Sequence, residues 1–395
     1  MLLRLFQTLD AVLVRYQSFW QFEPMQASWP TSWPDDLQAY LRQLSLADCA
    51  AIDSSATLQT QALETFFPEV FAALPELPGV VLETPTLPFW LHTDVPGRKW
   101  QQICHLSAAM TQTGTDASAP VLEWCAGKGH VGRLLAFQGA RSVTSLEWQS
   151  ELCQAGAALS QKHGITQEFH ATDVLTTNTQ PWFNAEQRFV AMHACGDLHR
   201  RGIDQACHHP VKELAVLPCC YHLQAQPHYQ PRSRAALKSS LRLSKAMLRL
   251  AVQQQATAGA RVQRLGHQEM LWRHAWMHWI QRCDSHAAGL YRPLRSIPKH
   301  LLSAGLAEFF AFAAAQHQVP TPAQCDWPEL LAAAEQSLLQ QRRLELVQHV
   351  FRRPLELWLV LDLVLQLEEA GYRVELLQMC EAQLTPRNLL IRAWR

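Results

Sequence analysis

Gly127, Gly129 and Gly132 follow directly on the apolar run Pro120–Trp124 and open a helix-patterned stretch. A strand that ends in glycines lets backbone come within contact distance of a ligand, and the helix behind it presents N–H groups to anionic or polar atoms. The unit therefore reads as the cradle of a nucleotide-like cofactor. With Glu147 twenty positions after Gly127, the spacing fits a dinucleotide fingerprint whose acid holds ribose hydroxyls, the mark of a nicotinamide-dependent oxidoreductase. Glu123 argues the other way. A carboxylate at the strand tip repels a pyrophosphate and suits a cofactor carrying an ammonium and a sulfonium.

The stretch Glu123-x-Cys125-x-Gly127-x-Gly129 resembles the acidic-start glycine loop of class I S-adenosylmethionine methyltransferases. Three further blocks extend the likeness: His193-Ala-Cys-Gly-Asp197-Leu198, Cys219-Cys220-Tyr221-His222 and Thr385-Pro386-Arg387-Asn388-Leu389. Together they resemble the methyltransferase-like family that includes the ribosomal RNA adenine dimethylase domain-containing proteins. A looser similarity runs to tRNA acceptor-stem ribose 2′-O-methyltransferases. The blocks cover roughly residues 95–222 and 345–395. The resemblance implies S-adenosyl-L-methionine as donor and a cofactor site built from Glu123, Cys125, Gly127, Gly129, Glu147, Asp173 and His193. Cys125 departs from the pattern, because the family usually has a glycine there. Asp173 falls where such enzymes place an acid beside the adenine amino group; as a plain sequence feature it also fits a turn or helix N-cap.

Methyl transfer asks the protein to hold a nucleophile in line with the donor and to receive a proton. The acceptor pocket of a doubly wound sheet lies beyond the carboxyl ends of its strands, here His193–Asp197 and Cys219–His222. His222 and Asp197 are the candidate proton acceptors or positioning groups, and Tyr221 could stack on a base. A structural histidine and a helix N-cap aspartate are the competing readings. A thiolate at Cys219 or Cys220 could attack a pyrimidine ring. Cys195, Cys219, Cys220 and His222 could also gather zinc, but their spacing matches no standard finger, and no metal is assigned.

The elements that must position these groups follow from periodicity. Residues 120–220 alternate β-patterned runs (Val121–Trp124, Val143–Trp148, Glu168–Ala171, Phe189–His193, Leu214–Pro218) with helical ones, as an α/β doubly wound sheet requires. A helix over Phe351–Ala370 and a strand pair, Tyr372–Met379 with Asn388–Trp394, complete a seven-stranded Rossmann-like methyltransferase sheet. Four segments result: a helical N-terminal region (1–95), the cofactor-binding core (96–222), a basic helical insertion after strand five (223–344) and the closing part of the core (345–395).

At 395 residues with 48% apolar, the chain can bury one large core with an elaboration. Residues 1–20 are interrupted by Arg4, Asp10 and Arg15, so neither a signal peptide nor a membrane span is expected. Eleven cysteines without paired spacing fit reduced thiols and a cytoplasmic protein. Charge is neutral overall but unevenly spread. Residues 1–96 carry three Lys/Arg against eleven Asp/Glu, 3 − 11 = −8, and residues 223–303 carry thirteen against two (Glu269 and Asp284), 13 − 2 = +11. Arg234, Lys238, Arg242, Lys245 and Arg249 advance by 4, 4, 3 and 4, which predicts five cations on one face of a single helix.

Such a stripe fits a polyanion, and Lys99, entering the first core helix, could hold substrate near the site. Trp272, Trp276 and Trp279 also fall at helical spacing, more in the manner of a core than of a base-stacking platform. The expectation is a methyltransferase acting on RNA, tRNA or rRNA. A protein methyltransferase recruiting a basic protein, the oxidoreductase, and a non-catalytic RNA-binding scaffold on the same fold are the alternatives.

Overall fold

The structure, a computed structural model, describes residues 1–82, 87–112, 116–253, 260–283, 293–321 and 326–395; Asp284 lies outside them. Seven strands form one sheet: β1 Val121–Trp124, β2 Val143–Glu147, β3 Gln167–Ala171, β4 Arg188–Cys195, β5 Glu213–Cys219, β6 Arg373–Gln378 and β7 Leu389–Trp394. Their order is β3-β2-β1-β4-β5-β7-β6. The first five run parallel, and β7 lies antiparallel between β5 and β6. The sheet is the seven-stranded α/β doubly wound type that the sequence pattern implies.

Alternation along each strand divides the side chains between two layers. Val121, Val143, Val190 and Ala215 face the helices Gly97–Thr111 and His130–Phe137 through Ile103, Leu106, Val131 and Leu134. On the other face Trp124 and Phe189 pack at 5.6 Å and meet the helix Asp197–His208. Gly202 in that helix has no room for a side chain, since a Cβ would fall 2.7 Å from the Phe189 ring. Both faces are thus covered, which is why every residue of β1 and β5 is buried, Glu123 and Glu213 included.

Two compact units emerge. One comprises Met1–Gln17, Pro68–Ala256 and Phe351–Arg395, the other Ser18–Phe67 and Thr257–Val350. The first contains the sheet and also the N-terminal helix Leu2–Arg15, whose buried face is Leu2, Phe6, Leu9, Val12 and Leu13. Full burial of each such side chain is worth roughly 1.5–3 kcal/mol. Phe6 packs on Trp358 at 5.3 Å, and Trp358 Nε1 donates to Asp10 at 2.8 Å. The second unit is helical among its described residues. Trp272, Trp276 and Trp279 are buried in its core with Phe309 and Phe310, so the tryptophan stripe is packing.

The cation stripe is not one helix. Arg234–Leu237 and Lys245–Leu250 are separate short helices. Ser233 caps the first by accepting from Ala236 N, Ser244 caps the second by accepting from Met247 N, and Ser239 Oγ accepts from Leu241 N between them. Hydroxyls that bond nearby backbone offer the chain an alternative to helix. Three of them in twelve residues outweigh a charge period that by itself carries little energy. All five cations are nonetheless exposed.

Candidate active site

β1 continues outward through β2 and β3, and β4 continues the other way through β5. The carboxyl ends of β1 and β4 are therefore the switch point of the sheet, where a doubly wound fold opens a crevice. A cavity of about 360 Å³ lies there. The end of β1 and its loop contribute Glu123, Trp124, Cys125, Ala126 and Gly127, the end of β4 contributes Val190, Met192 and His193, and the flanking helices contribute Lys99, Gln102, His130 and Val131. Of the residues predicted for the cofactor, Glu123, Cys125, Gly127 and His193 line it. Gly129, Glu147 and Asp173 are not among its lining residues.

The glycine loop owes its shape to left-handed backbone. Cys125, Gly127 and Gly129 have φ of 56°, 58° and 66°, a region that costs an L side chain about 1–2 kcal/mol. Cys125 accepts that cost where the related pattern has glycine. Gly129 is required twice, because a Cβ would also lie 2.3 Å from Gln167 Nε2 and 2.4 Å from the Phe169 ring. Beneath the loop Glu123 is only 3% exposed. Its Oε2 accepts from Ser145 Oγ at 2.7 Å and Gln167 Nε2 at 3.2 Å. Burial raises its pKa, against the Ser145 hydroxyl, the Gly132 N–H and the Arg133 and Lys99 charges. Gln167 also donates to Gly129 O at 3.0 Å, so one amide joins β3, the carboxylate and the loop.

Glu147, at the end of β2, grips the same loop from the other side. Its Oε2 accepts from Gly127 N at 2.9 Å and its Oε1 from Gln149 N at 3.1 Å. Ala126 N and Gly129 N are also satisfied within the protein, by Leu146 O and Ala126 O. Three loop amides that a pyrophosphate would need are thus committed elsewhere, and a buried carboxylate sits below them. The arrangement disfavours a dinucleotide on both counts.

Two histidines on the cavity wall are held neutral. His193, itself at φ 55°, pairs through Nε2 with Gln102 Oε1 at 2.8 Å; burial and the nearby Arg387 and Lys99 charges lower its pKa to about 4. His130 Nδ1 meets Arg133 Nη1 at 3.0 Å, and burial with the Arg133 and Lys99 charges lowers its pKa to about 3. Arg133 is buried and donates to Lys128 O at 2.8 Å, pinning the far end of the loop.

Of the residues expected at the acceptor, Tyr221 and Asp197 are engaged within the protein. Tyr221 is buried, its hydroxyl 3.4 Å from Glu356 Oε1 and its ring edge-on to His199. It cannot stack on a base, because the position two past the end of β5 turns inward. Asp197 Oδ2 accepts from Ala225 N at 2.6 Å and Oδ1 from Arg200 at 3.4 Å, so it ties the loop after β5 to the helix it begins. His222 is half-buried, and its Nδ1 is enclosed without a hydrogen-bond partner. Asp173 accepts from Leu175 N at 3.0 Å, which is the turn reading of that residue. Lys99 is on the cavity wall. Arg234 pairs with Glu369, and Lys245 donates to Ala225 O at 3.3 Å.

Cys195 and Cys219 are register partners at the ends of β4 and β5, their sulfurs 3.1 Å apart. With Cys220 they form a group of three thiols. The Cys195 and Cys219 sulfhydryls beside it lower the pKa of Cys220. Nine described cysteines are all free thiols.

Gln102, His130, Arg133, Ser145 and Gln167 do not stand out in the sequence. Only Arg133 carried a signal, as a cation at an otherwise apolar position of an amphipathic helix.

Residues 98–227 match a family model described as a methyltransferase domain. That stretch is similar to methyltransferase domains. No curated protein matches the chain. Among solved structures it is similar to a putative RNA methyltransferase from Pyrococcus horikoshii (16% identity, 38% of this chain and 72% of that one, TM-score 0.27). Others are magnesium protoporphyrin IX methyltransferase from Synechocystis (13%, 34% and 61%, 0.26) and the Pyrococcus abyssi tRNA (uracil-54, C5)-methyltransferase (13%, 30% and 28%, 0.24). The chain spans 28% to 48% of the first structures it matches. No helix among the described residues is long and apolar enough to cross a membrane.

Proposed function

We propose that the chain is an S-adenosylmethionine-dependent methyltransferase whose acceptor is RNA. The observation that carries the donor is the glycine loop, its amides tied to Glu147 and neighbouring backbone and its underside backed by the buried Glu123. That surface is polar, anionic and already folded. When bound, the donor supplies an electrophilic methyl group. Cys125, Gly127 and Gly129 shape its bed, Glu123 provides charge complementary to its cationic end, and the free lone pairs of Glu147 suit ribose hydroxyls. His193, kept neutral and oriented by Gln102, can accept a hydrogen bond.

RNA is favoured by the segment after β5. Residues 223–256 hold six Lys/Arg (Arg232, Arg234, Lys238, Arg242, Lys245, Arg249) and no Asp or Glu. Arg232 and Arg234 are balanced by Asp204 and Glu369; Lys238, Arg242, Lys245 and Arg249 are exposed. Phosphate contacts of this sort supply affinity without sequence preference. Free thiols suit a cytoplasmic enzyme.

The test combines calorimetry with labelled transfer. The chain should bind S-adenosylmethionine and its demethylated product, and with radiolabelled donor it should label an RNA fraction. Label in protein alone would replace RNA by a basic protein as acceptor. Binding of NAD(H) in place of the sulfonium donor would end the methyltransferase reading.

A further inference from the structure

We propose that Cys195, Cys219 and Cys220 form a binding site for a thiophilic metal ion, Zn2+ in the first instance, at the carboxyl ends of β4 and β5. The three sulfurs lie within 4.8 Å of one another. Two departures from regular strand geometry bring them together. The register of β4 against β5 shifts between Met192 and Cys195, which brings Cys195 level with Cys219. Successive strand residues point to opposite faces, so Cys220 should point away from Cys219. Instead its backbone turns left-handed, at φ 46°, and its sulfur returns to the same side. A non-glycine residue in that region costs free energy and persists where the surroundings impose it.

A disulfide would use two of the three sulfurs and leave the third gathered for nothing. A metal uses all three. With Zn–S bonds of about 2.3 Å, tetrahedral geometry sets the sulfurs about 3.8 Å apart. Small side-chain rotations reach that from the 3.1 Å between Cys195 and Cys219 and the 4.8 Å bound on the group. Each thiol releases its proton to solvent as its sulfur–metal bond forms. Cys195 and Cys220 are only partly buried, which leaves a way in for the ion and for a fourth ligand. Water fills that fourth position, because the ring nitrogens of His222 lie outside the group that the three sulfurs form. The ligand order Cys195, Cys219, Cys220 has no finger-like spacing because the sheet, rather than a local loop, assembles it.

The experiment uses the full chain, purified under reductant, loaded with Zn2+ and desalted, with metal measured by inductively coupled plasma mass spectrometry. One equivalent of zinc per chain is expected, with the three thiols protected from a thiol reagent until a chelator is added. Loading with Co2+ should produce thiolate-to-metal charge-transfer absorption. Cys220→Ser, which leaves the buried Cys219 in place, should reduce retained zinc at least tenfold while the circular dichroism spectrum stays unchanged. Zinc absent after loading, with all three thiols reactive, would overturn the proposal, as would zinc retained at full stoichiometry by a folded Cys195→Ser, Cys220→Ser double variant. These readouts do not depend on methyl transfer.

Discussion

A Cβ added to Gly132 would lie 2.5 Å from Glu123 Oε2. The helix after the loop therefore carries glycine because the buried carboxylate and the Gly132 N–H bonded to it leave no space for more. Gly132→Ala should cost about 1–3 kcal/mol of stability, the usual range for overpacking. Chemical denaturation measures it, and an unchanged midpoint would mean that Glu123 is not seated against this helix.

Gly127 is constrained differently. Its φ is 58°, yet nothing lies within 4 Å of a Cβ built there. Gly127→Ala should cost about 1–2 kcal/mol through backbone strain alone, and Gly127→Val more. Glu147→Ala removes the acceptor that holds Gly127 N and should weaken S-adenosylmethionine binding by at least tenfold in a titration. Full affinity in both Gly127→Val and Glu147→Ala would place the cofactor elsewhere.

His130 links stability to pH. Its pKa is about 3 in the folded protein, lowered by burial and by Arg133 and Lys99, against about 6.5 in an unfolded chain. The unfolded state takes up this proton first as pH falls, so stability present above pH 6.5 is lost toward pH 3, at about 1.4 kcal/mol per pH unit for this group. Urea unfolding at pH 7.5, 6 and 5 should show the decline. His130→Gln, which keeps an acceptor for Arg133 but does not titrate, should make the decline shallower by this one group's share, with His193 and His199, each lowered to about 4, still contributing theirs; an equally steep profile in that variant would assign the proton to another group.

The sheet was legible because its information is local. Buried parallel strands such as β1 and β5 are apolar apart from one acid each, Glu123 and Glu213, and the turn after β1 can be made only with residues that tolerate positive φ. The loop's chemistry was legible for the same reason, through Gly127, Gly129 and the acids Glu123 and Glu147. The partners of those residues were not. Gln167 reaches Glu123 from β3, and Gln102 reaches His193 from ninety-one positions away; nothing in the type or spacing of a glutamine marks such a contact. Tyr221 and the cation run failed for a second reason. Side-chain direction past a strand end, and the competition of Ser233, Ser239 and Ser244 for backbone, are set by bonds that charge periodicity does not see.

Tyr221→Phe separates packing from recognition. The hydroxyl makes one long contact with Glu356, which Arg353 also serves at 2.7 Å, so its loss should cost about 1 kcal/mol or less. S-adenosylmethionine and RNA binding should be unchanged. A loss of RNA affinity with the fold intact would mean that this ring reaches the acceptor after all.

Lys238, Arg242 and Lys245 offer the sharpest test of an RNA acceptor, since they are exposed and none lines the cofactor cavity. Each phosphate contact with a single strand contributes about −0.7 to the slope of log affinity against log salt. Replacing all three by glutamate should lower RNA retention and reduce the steepness of that slope by about 2, while cofactor affinity and the unfolding midpoint stay as they are. Filter binding over a series of salt concentrations reads both quantities together. A weaker complex with the slope preserved would point to misfolding or lost shape, because only the removal of phosphate contacts changes how many counterions are released.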